Sequence, residues 1–344
     1  MLRSGRMRVF QGLQELELAP EMGRPAVVTI GNFDGVHIGH QALMRRAVER
    51  AKSLGVPSVV LTFEPHPLAV LRPELNLKRL FDPDDRLEQI EALGIDVLVV
   101  QAFSRSFSQL SPERFVMDSI VRPFQPRAVL VGYDFSFGSN RSGSIEFLKE
   151  QARLIGFEVE VLSPVTIELD GLETIVSSTR IRNALERGEA ANARKLLGRP
   201  YVLRGIVTKG AGRGRSIGIP TANIDPTVAP VIAIGVYAAF ARVRGVRLNA
   251  LVNVGRNPTF VDGDKVNVEA HIPELQKQLE SKGVAAPKMG APSGIDLYGE
   301  RVELEFIERI RMEKKFSGVD SLVAQIREDI TTGLEILQRE GSSS

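Results

Sequence analysis

Hydrophobic positions in the first half of the chain alternate between short unbroken runs and helical stripes. Val27 to Ile30, Ser58 to Phe63, Asp96 to Val100, Ala128 to Val131 and Glu158 to Leu162 read as strands. Between them Leu43, Ala47, Ala51 and Leu54 recur at helical spacing before Gly55, and Leu87, Ile90 and Leu93 do so between a capping Asp82 and Gly94. Ser111 with Pro112 marks another helix start, and Ser144 to Ile155 is a helix closed by Gly156. Unbroken apolar strands alternating with amphipathic helices predict a parallel sheet covered on both faces. Such folds bind ligands beyond the carboxyl ends of their strands, where GNFDGVHIGH (31–40) and GYDFSFG (132–138) fall.

Around residues 188 to 200 the pattern changes. YVLRGIVT (201–208), GVYAAFARVRG (235–245), LNALVNVG (248–255) and RVELEFIERI (301–310) show β-rich or alternating patterns, those of an antiparallel β domain. A last helix, roughly Asp320 to Gln338, carries the stripe Leu322, Ile326, Ile330, Leu334 and Leu337, which should pack onto that domain. The expected division is residues 1–187 and 188–344, and a chain of 344 residues is long enough for two cores.

Composition narrows the class. With 44 Lys plus Arg against 42 Asp plus Glu, the net charge of +2 supplies no field for a nonspecific nucleic-acid partner. The absence of cysteine excludes disulfides, thiolate metal sites and cysteine nucleophiles, and fits a reducing compartment. No run approaches the ~20 apolar residues of a membrane span. The chain reads as a cytoplasmic protein with neither membrane nor nucleic-acid partner; its oligomeric state is not legible.

VVTIGNFDGVHIGHQ (27–41) is a strand, a turn on Gly31, Asn32, Asp34 and Gly35, and a helix start bearing His37 and His40. Backbone N–H groups at a helix N-terminus suit a phosphate, and the two imidazoles can add directed hydrogen bonds. The pair fits helix-capping or surface histidines as well. All four histidines, the others being His66 and His271, lie in motif-like stretches. In SSTRIRNALERG (177–188), Arg180 and Arg182 sit in a first helical turn, where cations oppose the helix dipole unless an anionic ligand, or a surface ion pair, offsets the cost. A second anion site is legible in GAGRGRSIGIPTAN (210–223). Its glycines let successive N–H groups converge on phosphate, Arg213 and Arg215 add charge, and Thr221 and Asn223 offer hard oxygen ligands suited to nucleotide-borne Mg²⁺; a flexible hairpin loop is the plain alternative. Glu269, in a strand-like run, can accept a proton from an attacking hydroxyl.

Together these motifs resemble the bifunctional riboflavin kinase/FMN adenylyltransferase family, the prokaryotic FAD synthetases. The resemblance rests on GNFDGVHIGHQ, TFEPHP (62–67), GYDFSFG and SSTRIR in the first half. In the second it rests on LGRPY (197–201), GRGRSIGIPTAN, VNVGRNPTF (252–260), VEAHI (268–272), DLYG (296–299) and EKKF (313–316). It implies a Rossmann-like α/β nucleotidylyltransferase domain followed by an antiparallel β-barrel riboflavin kinase domain with a C-terminal helix. The implied chemistry is phosphorylation of riboflavin to FMN by the barrel and transfer of AMP from ATP to FMN, giving FAD and pyrophosphate, by the first domain.

By the resemblance, His37, His40 and Arg182 would be catalytic in adenylyl transfer, with Gly31, Asn32, Phe33, Asp34, Gly35, Ser178 and Thr179 on ATP and its phosphates. Phe63, Asp134, Phe135 and Arg311 would meet flavin. In the kinase, Gly210, Gly212, Arg213 and Gly214 would cover phosphates, Thr221 and Asn223 would hold Mg²⁺ with ATP, and Glu269 would be the base. The chain departs from the family in PELQKQLESKGVAAPKMGAPSG, an insertion between His271 and Ile295 whose charged start can form a short helix. Two rival enzymes borrow the same letters, a different nucleotidylyltransferase fused to an unrelated barrel and an aminoacyl-tRNA synthetase fragment. A third rival is a flavin or nucleotide sensor without turnover.

Overall fold

The computed structural model describes residues 7–17, 19, 25–210, 214, 217–256, 266–283 and 297–341. Packing divides the chain into two units, one of residues 1–77 and 83–177, the other of 78–82 and 178–344.

The first unit holds a six-stranded parallel sheet: β1 (Arg8–Phe10), β2 (Val27–Ile30), β3 (Ser58–Glu64), β4 (Val97–Ala102), β5 (Ala128–Gly132) and β6 (Glu158–Leu162), in the order β1-β4-β3-β2-β5-β6. Alternate residues of each strand enter two separate cores. Val28, Ile30, Val59 and Leu61 pack with Leu148 and Ala152 of the helix Ile145–Ile155. Val27, Val60 and Leu98 pack with Met44 and Ala47 of the helix Ile38–Leu54 and Ile90 of the helix Pro83–Ala92. Both faces are therefore covered, as the unbroken apolar strands require. Ser111 and Ser144 cap their helices by accepting from Arg114 N and Phe147 N, and Gly55 and Gly156 end theirs in the left-handed region. Strand order reverses between β2 and β5, so the loops after these two strands meet at the topological switch point. A hairpin of β7 (Thr166–Leu169) and β8 (Leu172–Ile175) turns on Asp170 and Gly171, both at positive φ.

In the second unit β9 (Tyr201–Thr208), β10 (Ala222–Pro226), β11 (Gly235–Val243), β12 (Val246–Arg256), β13 (Val266–His271) and β14 (Arg301–Arg311) close an antiparallel barrel in the order β10-β13-β12-β11-β14-β9. Tyr201, Leu203, Tyr237, Leu304 and Phe306 are buried. The long helix Val319–Gly341 lays Ile336 and Leu337 on Ala238, Phe240 and Ile307. Gly333 permits this approach, because a Cβ there would stand 3.1 Å from Ile310 Cδ1 and 3.3 Å from Leu251 Cγ. The start of the insertion does form a short helix, Leu275–Ser281; its remainder lies mostly outside the described residues. The helices Ser178–Glu186 and Ala190–Leu197 precede the barrel. Residues 78–82 pack in this unit too: Leu80 and Phe81 are buried, Arg199 lies over the Phe81 ring, and Thr227 donates to Asp82 at 3.0 Å.

Candidate active sites

The turn after β2 is built to hold two imidazoles. His37 is the N-cap of the helix Ile38–Leu54, its Nδ1 accepting the backbone N–H of His40 at 3.2 Å. A backbone amide can only donate, so the proton of a neutral His37 sits on Nε2. The capping and ligand readings of this histidine are thus compatible. His40 stacks on His37 with ring centroids 3.5 Å apart and planes 19° off parallel, and its other side meets the edge of Phe33 at 5.2 Å. Its Nδ1 is buried and has no hydrogen-bond partner among the described residues, although the residue as a whole is only half-buried. Burial, and then the neighbouring His37, push the His40 pKa well below the ordinary histidine value.

Small residues make this arrangement possible. A Cβ on Gly39 would lie 3.2 Å from Cε1 and Nδ1 of His37, and one on Gly31 3.0 Å from the Phe33 ring. Phe33, at φ 48°, is 1% exposed and belongs to the core behind the turn; its ring supports His40. The carbonyl of Asn32 accepts Thr62 Oγ1 at 3.2 Å and Arg86 Nη1 at 3.5 Å, while Arg86 Nη2 reaches Glu64 at 2.9 Å. Arg86, which lies in none of the motifs, and Thr62, the first residue of TFEPHP, therefore anchor the turn. Gly35 takes φ 86° within it.

Phe63 and Phe135 are ends of one file of rings. Phe63 meets Phe107 at 5.7 Å, Phe107 meets Phe115 at 6.1 Å, Phe115 meets Phe137 at 5.1 Å, and Phe135 stacks on Phe137 at 5.3 Å. Phe63 is buried, Phe135 half-buried and Asp134 exposed in the loop after β5. Ser178, Thr179 and Arg182 belong to the second unit, where Arg182 Nε donates to the carbonyl of Lys78 at 3.0 Å.

On the barrel, register creates a polar row. Asn223 of β10 and Asn253 of β12 both lie directly opposite Glu269 of β13. Val268 and Ala270 are buried, so Asn267, Glu269 and His271 share the other face of the strand. Asn267 Nδ2 donates to Glu269 Oε1 at 2.8 Å, and Thr221 Oγ1 faces Oε2 at 3.5 Å. Two loop glycines press on the same residues: a Cβ on Gly210 would fall 1.9 Å from Asn223 Nδ2, and one on Gly214 would fall 2.3 Å from the carbonyl oxygen of Ile219 and 3.3 Å from Thr221 Oγ1. Gly212, Arg213, Arg215 and Asp296 lie outside the described residues. Asn267, which only the side-chain geometry reveals, is the added member of this group. Arg311 is occupied by a forked ion pair, Nε and Nη2 reaching Asp329 at 2.8 to 3.0 Å.

A phosphate-ready strand–turn–helix at a switch point, joined to a barrel that sets a carboxylate against a hydroxyl and an amide, defines a two-domain nucleotide-dependent transferase. The family models specify it: FAD synthetase matches residues 19–180 and riboflavin kinase residues 197–337. The chain is 36% identical to the bifunctional riboflavin kinase/FMN adenylyltransferase of Listeria monocytogenes, over 88% of this chain and 90% of that protein. It is 36% identical to the protein of the same name from Pseudomonas fluorescens, over 94% and 96%. A crystal structure described as that of a macrolide-efflux protein from Streptococcus pneumoniae superposes with a TM-score of 0.78 at 31% identity, covering 96% of this chain and 99% of that one. Among the described residues no helix is long and apolar enough to cross a membrane. The chain belongs to the bifunctional riboflavin kinase/FMN adenylyltransferase family.

Proposed function

We propose that the two activities divide between the two groups of residues described above. The enzyme phosphorylates riboflavin to FMN and adenylylates FMN to FAD, and the order of the two family matches carries the assignment of kinase to the barrel and adenylyl transfer to the parallel-sheet domain.

In the kinase, Glu269 takes the proton of the ribityl 5′-hydroxyl as its oxygen attacks the γ-phosphorus of ATP; the bond to the β–γ bridging oxygen breaks and ADP leaves. Asn267 holds one carboxylate oxygen, leaving the other toward Thr221. Mg²⁺ fits this donor set: the Thr221 hydroxyl and Asn223 amide are two neutral hard oxygens, the small protein share expected for a cation carried by nucleotide phosphates. When bound, the cation neutralises phosphate charge. Gly210 and Gly214 keep the loop backbone close to these two side chains.

In adenylyl transfer a phosphate oxygen of FMN attacks the α-phosphorus of ATP and pyrophosphate leaves. His37, capped onto the helix through Nδ1, donates from Nε2 to a phosphate oxygen, and His40 supports it from the stacked position. The backbone of Gly31, Asn32, Asp34 and Gly35 lines the phosphates, with Phe33 as internal support. Ser178 and Thr179 fall within the FAD synthetase match and Arg182 two residues beyond it, and their hydroxyls and guanidinium are of the chemistry suited to the departing phosphates. Phe63, Phe135 and Asp134 serve the flavin, and Arg311, held by Asp329, bears on the flavin end of the kinase from a fixed position. No covalent intermediate is needed, since positioning and charge neutralisation suffice.

A domain boundary at 187/188 belongs to the same reading: it falls in the gap between the two family matches, ten residues after the point where packing divides the chain. A cytoplasmic location and a partner set limited to small molecules belong to it too, supported by the net charge of +2 and the lack of cysteine. Incubation with riboflavin, ATP and Mg²⁺ followed by separation of flavins tests it. FMN should appear first and FAD after it; the absence of both would overturn the reading.

A further inference from the structure

His271 has no part in the chemistry above, yet it touches the segment on which that chemistry depends. Its Nδ1 lies 2.8 Å from the carbonyl oxygen of Pro220, the residue immediately before Thr221. A carbonyl only accepts, so Nδ1 carries the proton. That proton is present in one neutral tautomer and also in the imidazolium, so the bond does not depend on the charge of His271.

The backbone explains why a side chain is needed here. β10 and β13 pair through Ile224 with Val268, Asn223 with Glu269 and Ala222 with Ala270. The pairing ends there, one position short of Thr221 and His271. Pro220 has no N–H with which to extend the ladder. The imidazole reaches past the end of the ladder and supplies one more bond to the opposing strand. His271 also shares the face of β13 that carries Glu269, two residues away or roughly 6.6 Å along the strand. One rigid strand thus presents the base and grips the chain beside the hydroxyl that faces it.

We propose that His271 is a positioning residue of the kinase site: its Nδ1–H fixes Pro220, and through it Thr221, at a set distance from Glu269. This rests on the reading of Thr221, Asn223 and Glu269 given above. The segment so fixed lies between the glycine-rich stretch and the first paired residue of β10, Ala222, so the imidazole holds Thr221 at the point where the ladder has ended.

The test uses the full chain and initial rates of FMN formation with MgATP and riboflavin varied separately. His271→Ala should raise KM for MgATP about fivefold, the order of one lost hydrogen bond, with KM for riboflavin unchanged. His271→Asn, whose Nδ2 is attached at the same remove from Cβ as Nδ1 of histidine, should restore the wild-type value; His271→Gln, whose donor lies one atom further out, should not. The unchanged riboflavin KM reports an intact barrel, and FAD formation from supplied FMN should be the same in all variants. Wild-type KM for MgATP in His271→Ala would overturn the proposal. So would a loss in which both KM values and kcat move together, with Asn no better than Gln, because that pattern is general destabilisation. Glu269→Ala is run beside them. If it retains FMN formation, the site assignment itself falls and this inference with it; if it abolishes FMN formation while His271→Ala is silent, only the inference falls.

Discussion

The imidazoles of His37 and His40 lie face to face with centroids 3.5 Å apart, while the backbone N–H of His40 donates to Nδ1 of His37. Two positive charges at that separation repel strongly, and a proton on His37 Nδ1 would remove the helix cap. On the proposed function, the stacked geometry favours the pair acting as neutral donors, through directed hydrogen bonds rather than net charge.

Gly39 is where this arrangement is most easily disturbed. A methyl group there meets the His37 ring at 3.2 Å, so Gly39→Ala must rotate or displace the ring. FAD formation from FMN should fall by about threefold to tenfold, since the ring must give by a fraction of the ~1 Å whose misplacement costs on the order of a hundredfold. FMN formation should be unaffected, and measuring both rates on one preparation checks this.

The lowered pKa of His40 also has a consequence for stability. Below the ordinary histidine pKa of 6.5 the unfolded chain binds a proton at His40 that the folded chain resists. This group's contribution is therefore complete above that value and is lost as pH falls below it, at up to about 1.4 kcal/mol per pH unit. Urea denaturation between pH 5 and 8 should show stability declining on the acid side, and His40→Asn should flatten that decline. An identical pH dependence in the two proteins would contradict the assignment.

The glycine-rich loop should be equally sensitive. A Cβ on Gly210 would lie 1.9 Å from Asn223 Nδ2, which neither backbone nor amide can accommodate in place. Gly210→Ala should reduce FMN formation by at least about a hundredfold while FAD formation from supplied FMN continues.

Arg311 and Asp329 tie the end of β14 to the C-terminal helix. The Asp329 side chain is 4% exposed and that of Arg311 20%. Asp329→Ala leaves a largely buried guanidinium without its carboxylate, and should destabilise the barrel unit by about 3 kcal/mol. Chemical denaturation followed by a signal from that unit measures it; an unchanged midpoint would show that the pair contributes little.

Much of this was legible in the sequence because local rules and fold agree. Ser144 and Gly156 bracket a helix in both, and the unbroken Val27 to Ile30 run is a strand buried on both faces. The hairpin at 166–175 belongs to neither the strand nor the helix series, although Asp170 and Gly171 between alternating residues signal it. Of the site, the residue types of the Thr221, Asn223 and Glu269 group stood out, since each has an evident chemistry. The supporting contacts did not: Asn267 acts on Glu269 along one face of the same strand, whereas His271 beside this group and Arg86 at the turn after β2 act across segments distant in the chain. Likewise nothing local to Arg311 indicates that Asp329, eighteen residues on, occupies it.

The central claim is that one chain carries two separable phosphorus chemistries, one at His37 and His40 and the other at Thr221, Asn223 and Glu269. The most direct measurement is a paired flavin assay on His40→Ala and Glu269→Ala, each supplied with ATP and Mg²⁺ and either riboflavin or FMN. His40→Ala should convert riboflavin to FMN and stop there, and Glu269→Ala should leave riboflavin untouched yet convert FMN to FAD, each losing about a hundredfold or more in its own step. Loss of both activities from either folded variant would contradict the account.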